Sequence, residues 1–233
     1  MCFNETASIT AFAIGSVCLA YTIYKKMYVF SFLYVTIVLM QLLEYYAHLS
    51  LNTKNAKMNK YAAMAGFILL IIQPVIWALY VCYAHTKDKN KQNVILIMST
   101  MFILFNVFLF NAIEKADAFR YTYLNEKCNS SICRLKWNFM SGSILGSFVF
   151  LAFYVLLFAY PYFQVLKHNM YGMTYFSVTI ALLVLGIIYM ILCDKITSGK
   201  KILSGFGSIW CFLCVFTGPL MIAFPKMATK YSA

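Results

Sequence analysis

The stretch MYVFSFLYVTIVLMQLLEYYAHLSL, from Met27 to Leu51, decides the class of this chain: it is membrane-length and apolar, yet it holds one acid, Glu44, well inside it. A transmembrane helix needs about 20 such residues to cross about 30 Å of hydrocarbon. Gln41 stands three residues before Glu44 and His48 four residues after, so helical periodicity puts all three on one face. A carboxylate at bilayer depth costs several kcal/mol unless it faces protein or water. Such a residue marks an ion path, a counter-charge for a ligand or a proton-handling group, which makes Glu44 the first candidate for function.

Working outward, the rest of the chain offers six more runs of this kind. The full set is Ala7 to Tyr24, Met27 to Leu51, Tyr61 to Ala84, Asn93 to Ile113, Ser141 to Leu166, Met173 to Cys193 and Gly205 to Phe224. With 63% hydrophobic and 11% charged residues, the composition is far from the roughly 25% charged typical of soluble domains. A membrane β-barrel would need alternating polarity, and Phe67 to Ile72 or Ile180 to Ile188 have none. The expected fold is therefore all-α: a single polytopic domain over residues 1–233, a bundle of seven transmembrane helices. The first run follows no basic n-region and precedes no small-residue cleavage pattern, so it reads as a retained helix. Asn4 or Thr6 serves as its N-cap.

Seven crossings put the N-terminus on the same side as the loops 52–60, 114–140 and 194–204, here the N-face. The C-face carries Lys25 and Lys26, the loops 86–92 and 167–172, and the tail from Pro225. Basic residues are nearly balanced, eleven on the N-face against eight on the C-face. The long N-face loop holds Cys128 and Cys133 around the sequon Asn129-Ser130-Ser131. A disulfide and a glycosylation site both suit an external or lumenal face, so the N-terminus is expected outside and the C-terminus in the cytoplasm. The net charge of +12 is spread over both faces in short juxtamembrane groups, which fits contact with lipid headgroups rather than nucleic acid.

At about 1.5 Å per residue, Glu44 lies about 10 Å below the N-face end of its helix. Trp210, Cys211, Asn106, Asn111 and Tyr189 fall near the same layer, so the N-face half of the bundle is expected to be the polar half. The predicted ligand or ion site is Glu44 with Gln41, His48, Asn106, Trp210 and Cys211. A metal would need Cys2, or Cys211 or Asp194, beside Glu44 and His48, because His85 and His168 lie on the opposite face. Cys211-x-x-Cys214 reads first as two small packing residues. No cofactor is indicated, and the reading leans against an enzyme.

Known seven-helix classes fit poorly. A retinal protein needs a lysine in its last helix, and Gly205 to Phe224 has none. Helix 3 ends Cys82-Tyr83-Ala84-His85 without the Asp-Arg-Tyr-like triplet of rhodopsin-like receptors. The opening Met1-Cys2-Phe3, Gln41-x-x-Glu44, Pro74 with Trp77, and Ser208-Ile209-Trp210-Cys211-Phe212 together resemble an uncharacterised family of multi-pass membrane proteins found in bacteria and giant DNA viruses. That resemblance implies a small seven-helix protein and brings no activity with it. The strings around Gln73-Pro74 and Gly218-Pro219 also suggest a three-plus-one-plus-three repeat of the kind small carriers use. Three functions remain open: a small-solute or ion transporter or channel working through Glu44; a ligand-binding or sensory protein gripping an amine with Glu44 and Trp210; and a structural membrane component, forming a homo-oligomer, in which Glu44 is a neutralised buried acid.

Overall fold

The computed structural model describes residues 4–123, 135–140, 144–161, 181, 184, 188, 215 and 217–223. Helices dominate them: α1 (Glu5–Tyr24), α2 (Tyr28–Asn52), α3 (Ala56–His85), α4 (Lys89–Lys115), α5 (Ile144–Pro161) and the short α6 (Thr217–Ala223). Between α4 and α5 lies a two-stranded antiparallel ribbon, β1 (Tyr121–Tyr123) with β2 (Leu135–Trp137), followed by one 3-10 turn, Asn138–Met140. Among the described residues, four of the five long helices, α1 to α4, are long and apolar enough to cross a membrane, so the chain fits a membrane-embedded protein.

The first four helices coincide with the first four apolar runs but begin earlier where a polar cap is available. The Asn4 side chain accepts from Ala7 N at 2.8 Å and starts α1, as expected. Asn55 accepts from Met58 N at 3.0 Å and moves the start of α3 back from Tyr61 to Ala56; Asp88 accepts from Asn90 N at 3.0 Å and moves that of α4 from Asn93 to Lys89. A capped first turn tolerates Lys and Asn because its orphan amides are satisfied, so hydrophobic onset dates these helices one turn late. Of the sixth run, Met173 to Cys193, only Ala181, Val184 and Ile188 are described, all helical; of the seventh, Val215 and α6.

α2 packs against α1 and α3, α3 also against α4 and α5, and α1 against α6. The buried share of the apolar window is 61% in α2 and 50% in α3, against 28% in α1 and 22% in α4. The middle of the described structure is thus the α2–α3 pair, while α1 and α4 turn wide apolar faces outward. Tyr34 on α2 donates to the Val215 carbonyl at 2.7 Å, tying the C-face half of α2 to the segment before α6. A Cβ on Gly218 would run into the Tyr34 phenol, so the absent side chain is what lets α6 approach.

Parts of the loop 114–140 that the structure describes are drawn into the core. Phe119, Tyr121, Leu135, Trp137 and Phe139 are all buried. Phe67 of α3 receives Phe139 and Phe119 edge-on, with ring centroids 5.5 and 5.7 Å away, and Phe110 and Phe150 complete its shell at 6.1 and 6.2 Å. Asn59 of α3 holds the ribbon by its backbone: Tyr121 N donates to Asn59 Oδ1 at 2.7 Å and Asn59 Nδ2 donates to Tyr121 O at 3.2 Å. The amide side chain does for this strand what a neighbouring strand would do, satisfying a donor and an acceptor that burial would otherwise leave costly.

Candidate functional site

The polar row on α2 is wholly enclosed. Gln41 and Glu44 are 0% exposed and His48 is 1% exposed. Glu44 lies eight residues before the last residue of α2, Asn52, hence about 12 Å below that helix end. Towards the N-face the row continues to Asn52, exposed at the helix end, whereas Ser50, buried on the opposite side of α2, donates its hydroxyl to the Ala47 carbonyl at 2.7 Å. Helix α2 therefore presents polar groups from mid-span to its end on one face, covered by protein at Glu44 as an acid in lipid requires.

Above this row sits the ribbon. The His48 and Tyr123 rings lie 6.0 Å apart. The Tyr123 hydroxyl donates to Asn52 Oδ1 at 3.0 Å, and Asn52 Nδ2 donates to Glu5 Oε2 at 3.0 Å. One chain of hydrogen bonds so links β1, the end of α2 and the first turn of α1 directly over His48. Burial, with the Glu5 carboxylate nearby as a lesser cause, raises the Tyr123 pKa above its ordinary value and keeps the phenol a donor.

Beside the ribbon, a cavity of about 640 Å³ opens on the N-face, bounded by Ser50, Leu51 and Lys54 to Ala56 at the α2–α3 turn and by Asp117, Arg120 and Tyr121 across from it. Lys57 and Lys60 of α3 also line it, and Lys60 Nζ stands 3.9 Å from Asp117 Oδ1. Four cations against one carboxylate make its potential positive.

Asn106 is 0% exposed on α4 and donates from Nδ2 to the Phe102 carbonyl at 2.7 Å. It belongs to the stripe Gln92, Ile95, Ser99, Phe102 and Asn106 that α4 turns inward, and α4 packs against α3 and α5, whereas α2 packs most extensively against α1 and α3. Trp210, Cys211, Cys2 and the pair Cys128 and Cys133 lie outside the described residues. Among the described residues no group of three or more His, Cys, Asp or Glu side chains comes together to hold a metal, and Cys18 and Cys82 are free and buried.

Two polar residues that the site prediction did not include tie elements together. Asn59 holds the ribbon, and Gln73, one residue before Pro74, accepts from the Tyr154 hydroxyl at 2.8 Å across α3 and α5. Only the polar character of Gln73 in an apolar run signalled it; nothing in the sequence linked Asn59 to Tyr121. Comparisons with protein-family models, with curated proteins and with solved structures return no match.

Proposed function

We propose that this protein is a small-solute or ion transporter or channel in which Glu44 takes up a proton or cation and His48 tunes it. The observation that carries the reading is the complete enclosure of Glu44 in a polar row, Gln41, Glu44 and His48, whose face of α2 ends at the exposed Asn52. An acid kept at that depth, with an imidazole one turn away and a polar exit, suits reversible proton or cation binding. The proposed architecture is the full seven-helix bundle, with the N-face external and the C-face cytoplasmic, and membership of the bacterial and viral family that shares Met1-Cys2-Phe3 and Gln41-x-x-Glu44. Protease mapping of a tag placed at each terminus in sealed cells tests the orientation.

Reconstitution into proteoliposomes with a pH-sensitive dye inside tests the function. The wild-type protein is expected to pass protons or monovalent cations under a gradient, Glu44→Gln to lose at least about tenfold of that flux, and His48→Gln to shift its pH dependence. No flux in the wild type, or equal flux in Glu44→Gln, would sink the reading. The N-face cavity supports a second reading, a ligand-binding or sensory protein, because its volume lies within the roughly 300–1,000 Å³ of small-molecule sites.

A further inference from the structure

We infer that the α2–α3 turn is a binding site for one anionic glycerophospholipid, with its phosphate in the basic N-face cavity and an acyl chain in the groove beside it. The groove is a second hollow of about 520 Å³, bounded by Leu43 and Tyr46 of α2 and by Met58, Tyr61, Ala62 and Ala65 of α3. Asn55 and Lys57 line both hollows, so the two meet at the turn. One side of that meeting point is cationic and the other apolar, which is the polarity pattern of a phospholipid.

Position in the bilayer agrees. α2 ends at Asn52 and α3 begins at Ala56, so the turn lies at the membrane boundary, and the groove runs from it along the first three turns of α3. Tyr46 and Tyr61 on the groove are 40% and 60% exposed, as aromatic side chains at the headgroup level are. Lys60 is engaged by Asp117, whereas Lys54, Lys57 and Arg120 stand in no ion pair among the described residues. Three cations outside any ion pair among the described residues, gathered at one place, favour a headgroup of net negative charge over a zwitterionic one. Ala62 and Ala65 keep the groove open because each ends at a methyl group. None of this depends on Glu44.

Native mass spectrometry of the full chain, released from nanodiscs of mixed palmitoyl-oleoyl phosphatidylglycerol and phosphatidylcholine, tests the site. The wild type is expected to retain phosphatidylglycerol selectively, Lys54→Gln/Lys57→Gln to lose that selectivity by about tenfold, and Ala65→Leu to lose retention by filling the groove with every cation in place. Lys25→Gln/Lys26→Gln removes the same charge from the C-face and should retain the lipid as the wild type does. Circular dichroism checks that each variant is folded. Equal retention in Lys54→Gln/Lys57→Gln, or an equal loss in the C-face pair, overturns the proposal. Thermal stabilisation by inorganic phosphate without any lipid preference would assign the cations to a soluble oxyanion and also overturn it. Glu44→Gln should retain the lipid normally, so failure of the transport reading and failure of the lipid site are separable.

Discussion

At the scale of single residues, buried polar groups tie the elements to one another. Asn59 holds the fold: Asn59→Ala strips the Tyr121 amide and carbonyl of their partner, and at about 1–3 kcal/mol for a buried group left unsatisfied a loss of about 2 kcal/mol is expected in thermal unfolding. Hydrogen exchange should rise at Tyr121–Tyr123 first; unchanged exchange there would mean the ribbon is held otherwise. Tyr123 supplies a pH dependence. Since folding raises its pKa through burial and Glu5, the folded protein grips that proton more tightly than the unfolded chain does. The stabilisation is complete below about pH 10 and is lost as the pH climbs through the raised value. Tyr123→Phe should flatten the stability-pH curve in that alkaline window, and a curve identical to the wild type would assign the effect elsewhere.

At the scale of elements, three helices end in the same way without glycine. Lys26, Lys54 and Asp117 have φ of 57°, 56° and 49°. Each donates to the carbonyl three residues back while the next residue donates five back, as in Lys26 N to Ile23 O and Met27 N to Thr22 O, both 2.9 Å. This is the Schellman closure, in which glycine is usual because a Cβ disfavours the left-handed region. Lys26→Gly is expected to raise stability by about 0.5–1 kcal/mol and Lys26→Val to lower it by about as much, read from unfolding in detergent. Packing of the ribbon rests on a missing Cβ too: one on Gly66 would meet the Tyr121 hydroxyl. Gly66→Ala should cost about 1–3 kcal/mol, and adding Tyr121→Phe should recover part of it; additive losses would disprove the contact. Apolar length made the spanning helices legible, whereas their ends depended on Asn and Asp caps and on left-handed lysines, which resemble ordinary loop residues in sequence. The ribbon was invisible for a related reason: its three-residue strands lie inside a basic loop and are ordered by α3, sixty residues earlier.

At the scale of the molecule, the α2–α3 pair is the axis around which the described helices gather, and the row Gln41, Glu44 and His48 lies within it. That row was legible because helical spacing is local, one element reporting on itself. The N-face cavity was not, since it brings the turn at Lys54 together with Arg120 and Tyr121 from across the ribbon. The enclosure of α2 also has a consequence for how the chain is made. A helix with a glutamate near its middle enters lipid poorly alone, by a few kcal/mol on insertion scales, and the neighbours that enclose it, α1 and α3, are the segments synthesised immediately before and after. The short turns at Lys26 and Lys54 let those neighbours arrive at once. Membrane entry of α2 thus becomes an event of three consecutive helices: with α3 deleted, it should stall at the translocon, and a glycosylation-site reporter would record that failure.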